Sequence, residues 1–160
     1  MKGKINTEHG TMVLEFYEKD APNTVNNFVK LSKMGFYEGL TFHRVIPGFV
    51  SQGGCPKGTG TAGPGYNILC ELDGGNQIHD RGVLSMAHAG RNTGGSQFFL
   101  VHDRKTTQHL DKNHTCFAKV VEGLEIIDRI RQGDKFSVTI EGGPDANDIM
   151  LETQMKTGTF

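Results

Sequence analysis

The chain has 160 residues, and its 17 lysines and arginines against 18 aspartates and glutamates leave a net charge of −1 with neutral histidines. That balance removes any electrostatic reason to coat nucleic acid or an anionic membrane, and 36% hydrophobic with 22% charged residues excludes a disordered chain. Glycine stands apart at 22 residues with no collagen period, roughly twice ordinary usage, so the chain must hold many tight turns and reads as a turn-rich β fold.

Taken in chain order, Lys2 to Thr7 and Thr11 to Phe16 flank Glu8-His9-Gly10 as a hairpin. Asp20-Ala21-Pro22 opens a helix, because proline costs nothing in a first turn. Val25, Phe28, Val29 and Ser32 then recur on one face and Gly35 stops it, which predicts a helix over Pro22 to Lys33. Thr41 to Val45 and Phe49 to Gln52 read as short strands about the Pro47-Gly48 turn. Gly53 to Tyr66, with six glycines and two prolines, reads as loop. Val83 to Ala87, Gln97 to Val101 and Thr115 to Val121 are further strands. Leu124, Ile127, Ile130 and Arg131 follow Glu122-Gly123 at helical spacing and predict a second helix over Leu124 to Gln132, stopped by Gly133. Phe136 to Ile140 and Asp148 to Met155 close the chain as strands. About eight short antiparallel strands with two helices predict one domain over residues 1–160, a barrel or a sandwich.

The three cysteines, Cys55, Cys70 and Cys116, are odd in number and form no C-x-x-C, so reduced thiols in a reducing compartment are expected. The polar Met1 to Gly10 has no apolar leader core, and no stretch approaches the roughly 18 apolar residues of a membrane span. A cytoplasmic, soluble protein with no membrane partner is the expectation. Gly58-Thr59-Gly60-Thr61-Ala62-Gly63 matches G-x-G-x-x-G, but Cys55-Pro56-Lys57 before it and Pro64-Gly65 after it leave no strand–helix frame for a dinucleotide. His102, His109 and His114 lack metal-ligand spacing, and Ser96 is not in a nucleophile elbow. Neither a metal nor a cofactor is therefore expected.

Arg44 is a different matter. No acidic residue occurs from Gly39 to Cys70, so Arg44 has no local carboxylate, and it stands among Phe42, Val45, Ile46, Phe49 and Val50. Such an arginine either snorkels from a strand to water or is aimed into an apolar site.

The whole stretch Phe42-His43-Arg44-Val45-Ile46-Pro47-Gly48-Phe49-Val50-Ser51-Gln52-Gly53-Gly54 resembles the signature of the cyclophilins, the cyclosporin-type peptidyl-prolyl isomerases. Leu84 to Gly90, Asn92 to Phe99 and His109 to Val120 resemble the family's later blocks, in the same order, so the resemblance runs from about Thr11 to Gln132. It implies a mainly β fold: a closed antiparallel eight-stranded β-barrel capped by two α-helices. It implies an isomerase of X-Pro bonds in peptides and proteins, without cofactor or metal, acting as a monomer. By the same resemblance Arg44 matches the catalytic arginine. Phe49, Phe99 and Leu110 match the proline pocket, with His114 at its edge, and Gln52 matches the glutamine that orients the arginine. Ala87, His88 and Ala89 match the strand edge that pairs with the peptide, and Gln97 and Gly58 match the neighbouring groove. Three positions depart from the common pattern. Val50 replaces a frequent methionine, which makes that wall slightly smaller. His88 replaces a common asparagine, and His109 falls where cyclosporin-sensitive members carry tryptophan, which implies reduced cyclosporin affinity.

These residue types suit that chemistry. An amide resists rotation by roughly 18–20 kcal/mol because its nitrogen lone pair is shared with the carbonyl. At the twisted transition state the sharing is lost and the prolyl nitrogen can accept a hydrogen bond, so a donor that meets it only then is catalytic. A guanidinium is always protonated and carries a fixed fork of donors. Two other readings stay open: a proline-peptide binding module, and a chaperone-like scaffold with incidental turnover.

Overall fold

A computed structural model describes residues 1–155 of the chain. β1 (Lys2–Thr7) and β2 (Gly10–Phe16) pair antiparallel with Thr7 opposite Gly10, so the turn between them is the dipeptide Glu8-His9. Gly10 sits at φ +127°, which side chains rarely adopt. α1 (Pro22–Lys33) starts on its proline and buries Val25, Phe28, Val29 and Leu31. The Phe28 ring lies 5.2–5.9 Å from the rings of Phe16, Tyr37, Phe98 and Phe117, joining the helix to three strands.

The remaining strands are β3 (Leu40–Thr41), β4 (Arg44–Ile46), β5 (Val50–Gly53), β6 (Tyr66–Asn67), β7 (Val83–Met86), β8 (Phe98–Val101), β9 (Cys116–Glu122), β10 (Lys135–Glu141) and β11 (Gln154–Met155). Nine of them form one antiparallel sheet in the order β3-β10-β1-β2-β9-β7-β8-β5-β4. The two outermost strands, β3 and β4, are separated in the chain only by Phe42 and His43, so the sheet must curl until its edges meet. Read as one bent strand that pairs first with β10 and then with β5, they bring the count to the expected eight. The seam is tight: a Cβ on Gly53 would stand 2.8 Å from the Thr41 carbonyl oxygen. Phe42 fills the interior there, fully buried, 4.6 Å from the ring of Phe136.

Two expectations need correction. Leu124–Arg129 is a 3₁₀ helix, not an α-helix to Gln132. Leu124, Ile127 and Ile130 are three apart, which suits three residues per turn as well as it suits an α-helical face. Ile130 is extended and buried, which ends the element early. The last strand is confined to Gln154–Met155, paired with β6 in a separate two-stranded sheet. Upstream, Ala146–Asp148 is a 3₁₀ turn, and Glu152 exchanges backbone hydrogen bonds with the Asn23 side chain at the start of α1 instead of joining the barrel. A short α2 (Arg104–Thr107), capped by the Asp103 carboxylate on the Lys105 N–H, was not expected.

The pleat of β8 decides where a site can form. Phe98 and Leu100 point into the main core, while Phe99 and Val101 join Val50, Val83 and Cys116 in a second buried cluster. Phe49, Ala87 and Leu110 pack onto that second cluster.

Candidate active site

The site is a cross-strand row. Arg44 on β4 is the register partner of Gln52 on β5, Gln52 of Phe99 on β8, and Phe99 of Ser85 on β7. Arg44, Phe49, Val50, Gln52, Ala87, His88, Phe99, Leu110 and His114 line one cavity of about 240 Å³. Its floor is the buried Phe99 and Val50, and Arg44 stands exposed at its lip. None of the ion pairs among the described residues involves Arg44, so its donors are free of any carboxylate.

A chain of amides holds it instead. Gln97 Nε2 donates to the carbonyls of Gly60 at 2.9 Å and Ala62 at 3.0 Å. Two acceptors fix that end as the NH₂, so Gln97 Oε1 faces Gln52 and accepts from its Nε2 at 3.1 Å. Gln52 Oε1 is thereby turned to Arg44 Nη1, 3.4 Å away. The glycine-rich loop thus sets the polarity of both amides. It also lines an adjoining groove of about 340 Å³, with Ala87, His88, Ala89 and Gln97 on the facing side.

The loop is itself anchored. Cys55 is buried, and the Gly60 N–H lies 3.3 Å from its sulfur. Burial raises the Cys55 thiol, but the N–H groups of Ala62, Thr59, Lys57 and Gly60 outweigh it and bring the pKa to about 7. This anchoring has no mark in the sequence, because the glycines signal a loop but not what it closes upon.

The histidines at the rim are fixed by carbonyls. His114 Nδ1 donates to the Met86 carbonyl at 2.9 Å, which leaves Nε2 as the acceptor of a neutral ring. Burial pushes its pKa down to about 4, with the Met86 carbonyl opposing and His88 assisting. His88 Nε2 donates to the Asn113 carbonyl at 2.7 Å and Nδ1 accepts from the Gly90 N–H. The two imidazoles stack at 4.0 Å, and His114 meets Phe99 edge-on.

Beneath the pocket lies a chain that resembles a nucleophilic triad. His79 bonds the Asp111 carboxylate through Nδ1 at 2.9 Å and the Ser85 hydroxyl through Nε2 at 2.8 Å. Ser85 and His79 are both fully buried, and His79 stacks on Phe99, so no substrate can reach the hydroxyl. The chain is scaffolding: it backs Phe99 and, through the Arg104–Asp111 ion pair at 2.7 Å, holds the segment that carries Leu110.

Two of the expected residues stand apart. Gly58 lines neither the cavity nor the groove; it turns the chain at φ +67° with its N–H on the Cys55 carbonyl, and Gly60 to Gly65 line the groove in its place. His109 is exposed and stacks on Phe49 from outside the cavity, with centroids 6.0 Å apart.

An apolar cavity on the outside of a curled antiparallel barrel, edged by a guanidinium that amides hold and that pairs with no carboxylate among the described residues, defines a barrel equipped to donate hydrogen bonds at an apolar site. The family model for "Cyclophilin type peptidyl-prolyl cis-trans isomerase/CLD" matches residues 3–155. A peptidyl-prolyl cis-trans isomerase of Synechococcus elongatus is 59% identical over 133 residues, 82% of this chain and 89% of its own. Peptidyl-prolyl cis-trans isomerase B of Bacillus subtilis is 59% identical over 129 residues, 80% and 89% of the two chains. A crystal structure of a Cryptosporidium parvum cyclophilin-type isomerase superposes with a TM-score of 0.78 at 30% identity, covering 89% of this chain and 98% of that one. The chain belongs to the cyclophilin-type peptidyl-prolyl cis-trans isomerase family.

Proposed function

We propose that the chain accelerates rotation about X-Pro bonds, with Arg44 as its catalytic residue. The observation that carries this is the carboxylate-free guanidinium at the lip of a cavity walled by Phe49, Phe99 and Leu110. The apolar walls hold the pyrrolidine ring while the acyl side of the bond turns. Arg44 then donates to the prolyl nitrogen, which accepts only when twisted, so the interaction belongs to the transition state and not to the ground state. Gln52 orients the guanidinium and offers its amide to the substrate carbonyl. Ala87, His88 and Ala89 form the edge beside the groove on which the flanking peptide lies. A structure of the Cryptosporidium isomerase obtained in the presence of the dipeptide Ala-Pro, 28% identical to this chain, supports a proline-containing ligand.

Partners are therefore X-Pro-containing peptides and proteins, bound by a monomer of one domain. Three free thiols, two of them buried, support a reducing, cytoplasmic setting, and no helix among the described residues is long and apolar enough to cross a membrane. Uncatalysed exchange takes roughly 10–100 s at 25 °C. Exchange NMR on a proline tetrapeptide should show that interval shortened by the protein, with no loss on adding chelator. Peptide binding without faster exchange would favour a binding module instead.

The same reading extends to cyclosporin. His109 offers a smaller ring than tryptophan and is already stacked on Phe49. Inhibition should be weak and His109→Trp should tighten it, with turnover barely altered because the residue lies outside the cavity. Inhibitor titration of both proteins checks this; an unchanged affinity would contradict it.

A further inference from the structure

We propose that the tip of the β1–β2 hairpin and the turn that enters β10 together form a binding site for a divalent first-row metal ion such as zinc, with Glu8, His9 and Asp134 as its ligands. His9 Nε2 lies 2.9 Å from Asp134 Oδ2 and 3.7 Å from Glu8 Oε1, and one donor atom from each of the three lies within 4.8 Å of the other two. A tetrahedral ion with bonds of about 2.0–2.1 Å keeps its ligands about 3.3 Å apart. Small side-chain rotations therefore suffice to enclose one.

The ligands are held by two tight turns 125 positions apart, which is why spacing along the chain gave no sign of them. On one side, Thr7 Oγ1 accepts from the His9 N–H and donates to the Gly10 carbonyl. On the other, the Arg131 N–H donates to Asp134 Oδ2 at 2.7 Å, while the Asp134 N–H returns a bond to the Arg131 carbonyl. Arg131 thus orients the carboxylate as a supporting partner does in built metal sites.

Charge points the same way. Two carboxylates converge here, and among the described residues their ion pairs are all to the one imidazole. A divalent ion neutralises both carboxylates where a single imidazolium neutralises one. One nitrogen and two oxygens with no sulfur suit zinc and its neighbours, whereas calcium asks for six to eight oxygens and copper(I) for sulfur. The side chains are 67%, 27% and 13% exposed for Glu8, His9 and Asp134. An open hollow lined by Thr7, Glu8, Gly133 and Asp134 leaves room for water as a fourth ligand. Bound there, the ion would tie the hairpin to β10 beside the barrel seam, away from the proline cavity.

The test is calorimetric titration of zinc chloride into chelator-treated full-length protein, paired with thermal melting. One equivalent should bind and raise the melting temperature, with magnesium and calcium at least about tenfold weaker. His9→Gln and Glu8→Gln should each weaken zinc by about 10–100-fold, the range for losing even a supporting partner. Among the described residues the only ion pair of the exposed Glu8 side chain is the 3.7 Å one to His9, so its variant keeps the test independent of folding. His109→Gln, the control at another exposed histidine, should leave zinc affinity unchanged, and prolyl isomerisation should not respond to the metal. Zinc binding that survives both His9→Gln and Glu8→Gln, or no saturable binding up to millimolar zinc, overturns the proposal.

Discussion

Gln97 shows how far a single amide can reach. Its NH₂ end is claimed by two loop carbonyls, so its oxygen, then Gln52, then Arg44 each have one orientation that satisfies every partner. Gln97→Met keeps the bulk and deletes both ends of the relay. A net hydrogen bond is worth about 0.5–1.5 kcal/mol, so turnover should fall about two- to tenfold while peptide affinity holds. Exchange NMR with peptide titration separates the two; an equal fall in affinity would make Gln97 a binding residue only. That Arg44, Phe49, Gln52, Phe99 and His114 come to one cavity was legible from the signature blocks in which they lie. The relay was not, since Gly60 and Ala62 act through carbonyls, which any residue carries. Gly58 lies off the groove it was expected to line, because a motif gives a position along the chain and not the side of the wall on which it falls, while His109 stacks on Phe49 outside the cavity.

Among the elements, α1 was read to the residue. Proline at its start and apolar residues on one face are local signals, and the local signals agree with the packing. Its central anchor is Phe28, fully buried among four rings. Phe28→Ala should cost about 3–5 kcal/mol, read as a lower urea midpoint; a loss under about 1 kcal/mol would mean that the cluster collapses to fill the gap. Leu124–Arg129 and the tail before Gln154 were misread for opposite reasons. The first has a spacing that two helix types share, and the second has strand-like residues whose backbone is taken up by Asn23. Strand pairing across the seam is a tertiary fact, so the bend at Phe42-His43 that closes the barrel had no local mark.

For the molecule as a whole, buried histidines set the response to acid. Burial lowers the pKa of His79, His102 and His114, the last to about 4. An unfolded histidine titrates near about 6.5. Below that pH the unfolded chain takes up protons that the folded one refuses, so stability is full above about 6.5 and falls as the pH drops towards 4. Asp111 works in the same direction only at the bottom of this window: burial raises its pKa, but its hydrogen bonds to His79 outweigh that and hold it below the usual range, so its contribution starts to fade only as the unfolded carboxylate protonates near about pH 4. Urea midpoints measured from about pH 7.5 down to about pH 4 should decline from about 6.5 onward; a flat profile to pH 5 would contradict the buried neutral rings. Turnover should stay level over most of that range, because Arg44 keeps its charge and His114 stays neutral until about pH 4.

The central claim is that aimed donors on Arg44, and not its charge, lower the barrier. Arg44→Lys keeps the charge and loses the planar fork, and Arg44→Ala loses both. The deciding measurement is the catalysed cis–trans exchange rate of the two variants at saturating peptide, by exchange NMR. Losing one preorganised donor costs on the order of 10²–10³ in turnover at comparable sites, so alanine should fall by that much and lysine should lie close to alanine. Lysine restoring most of the rate, or alanine retaining it, would contradict the account.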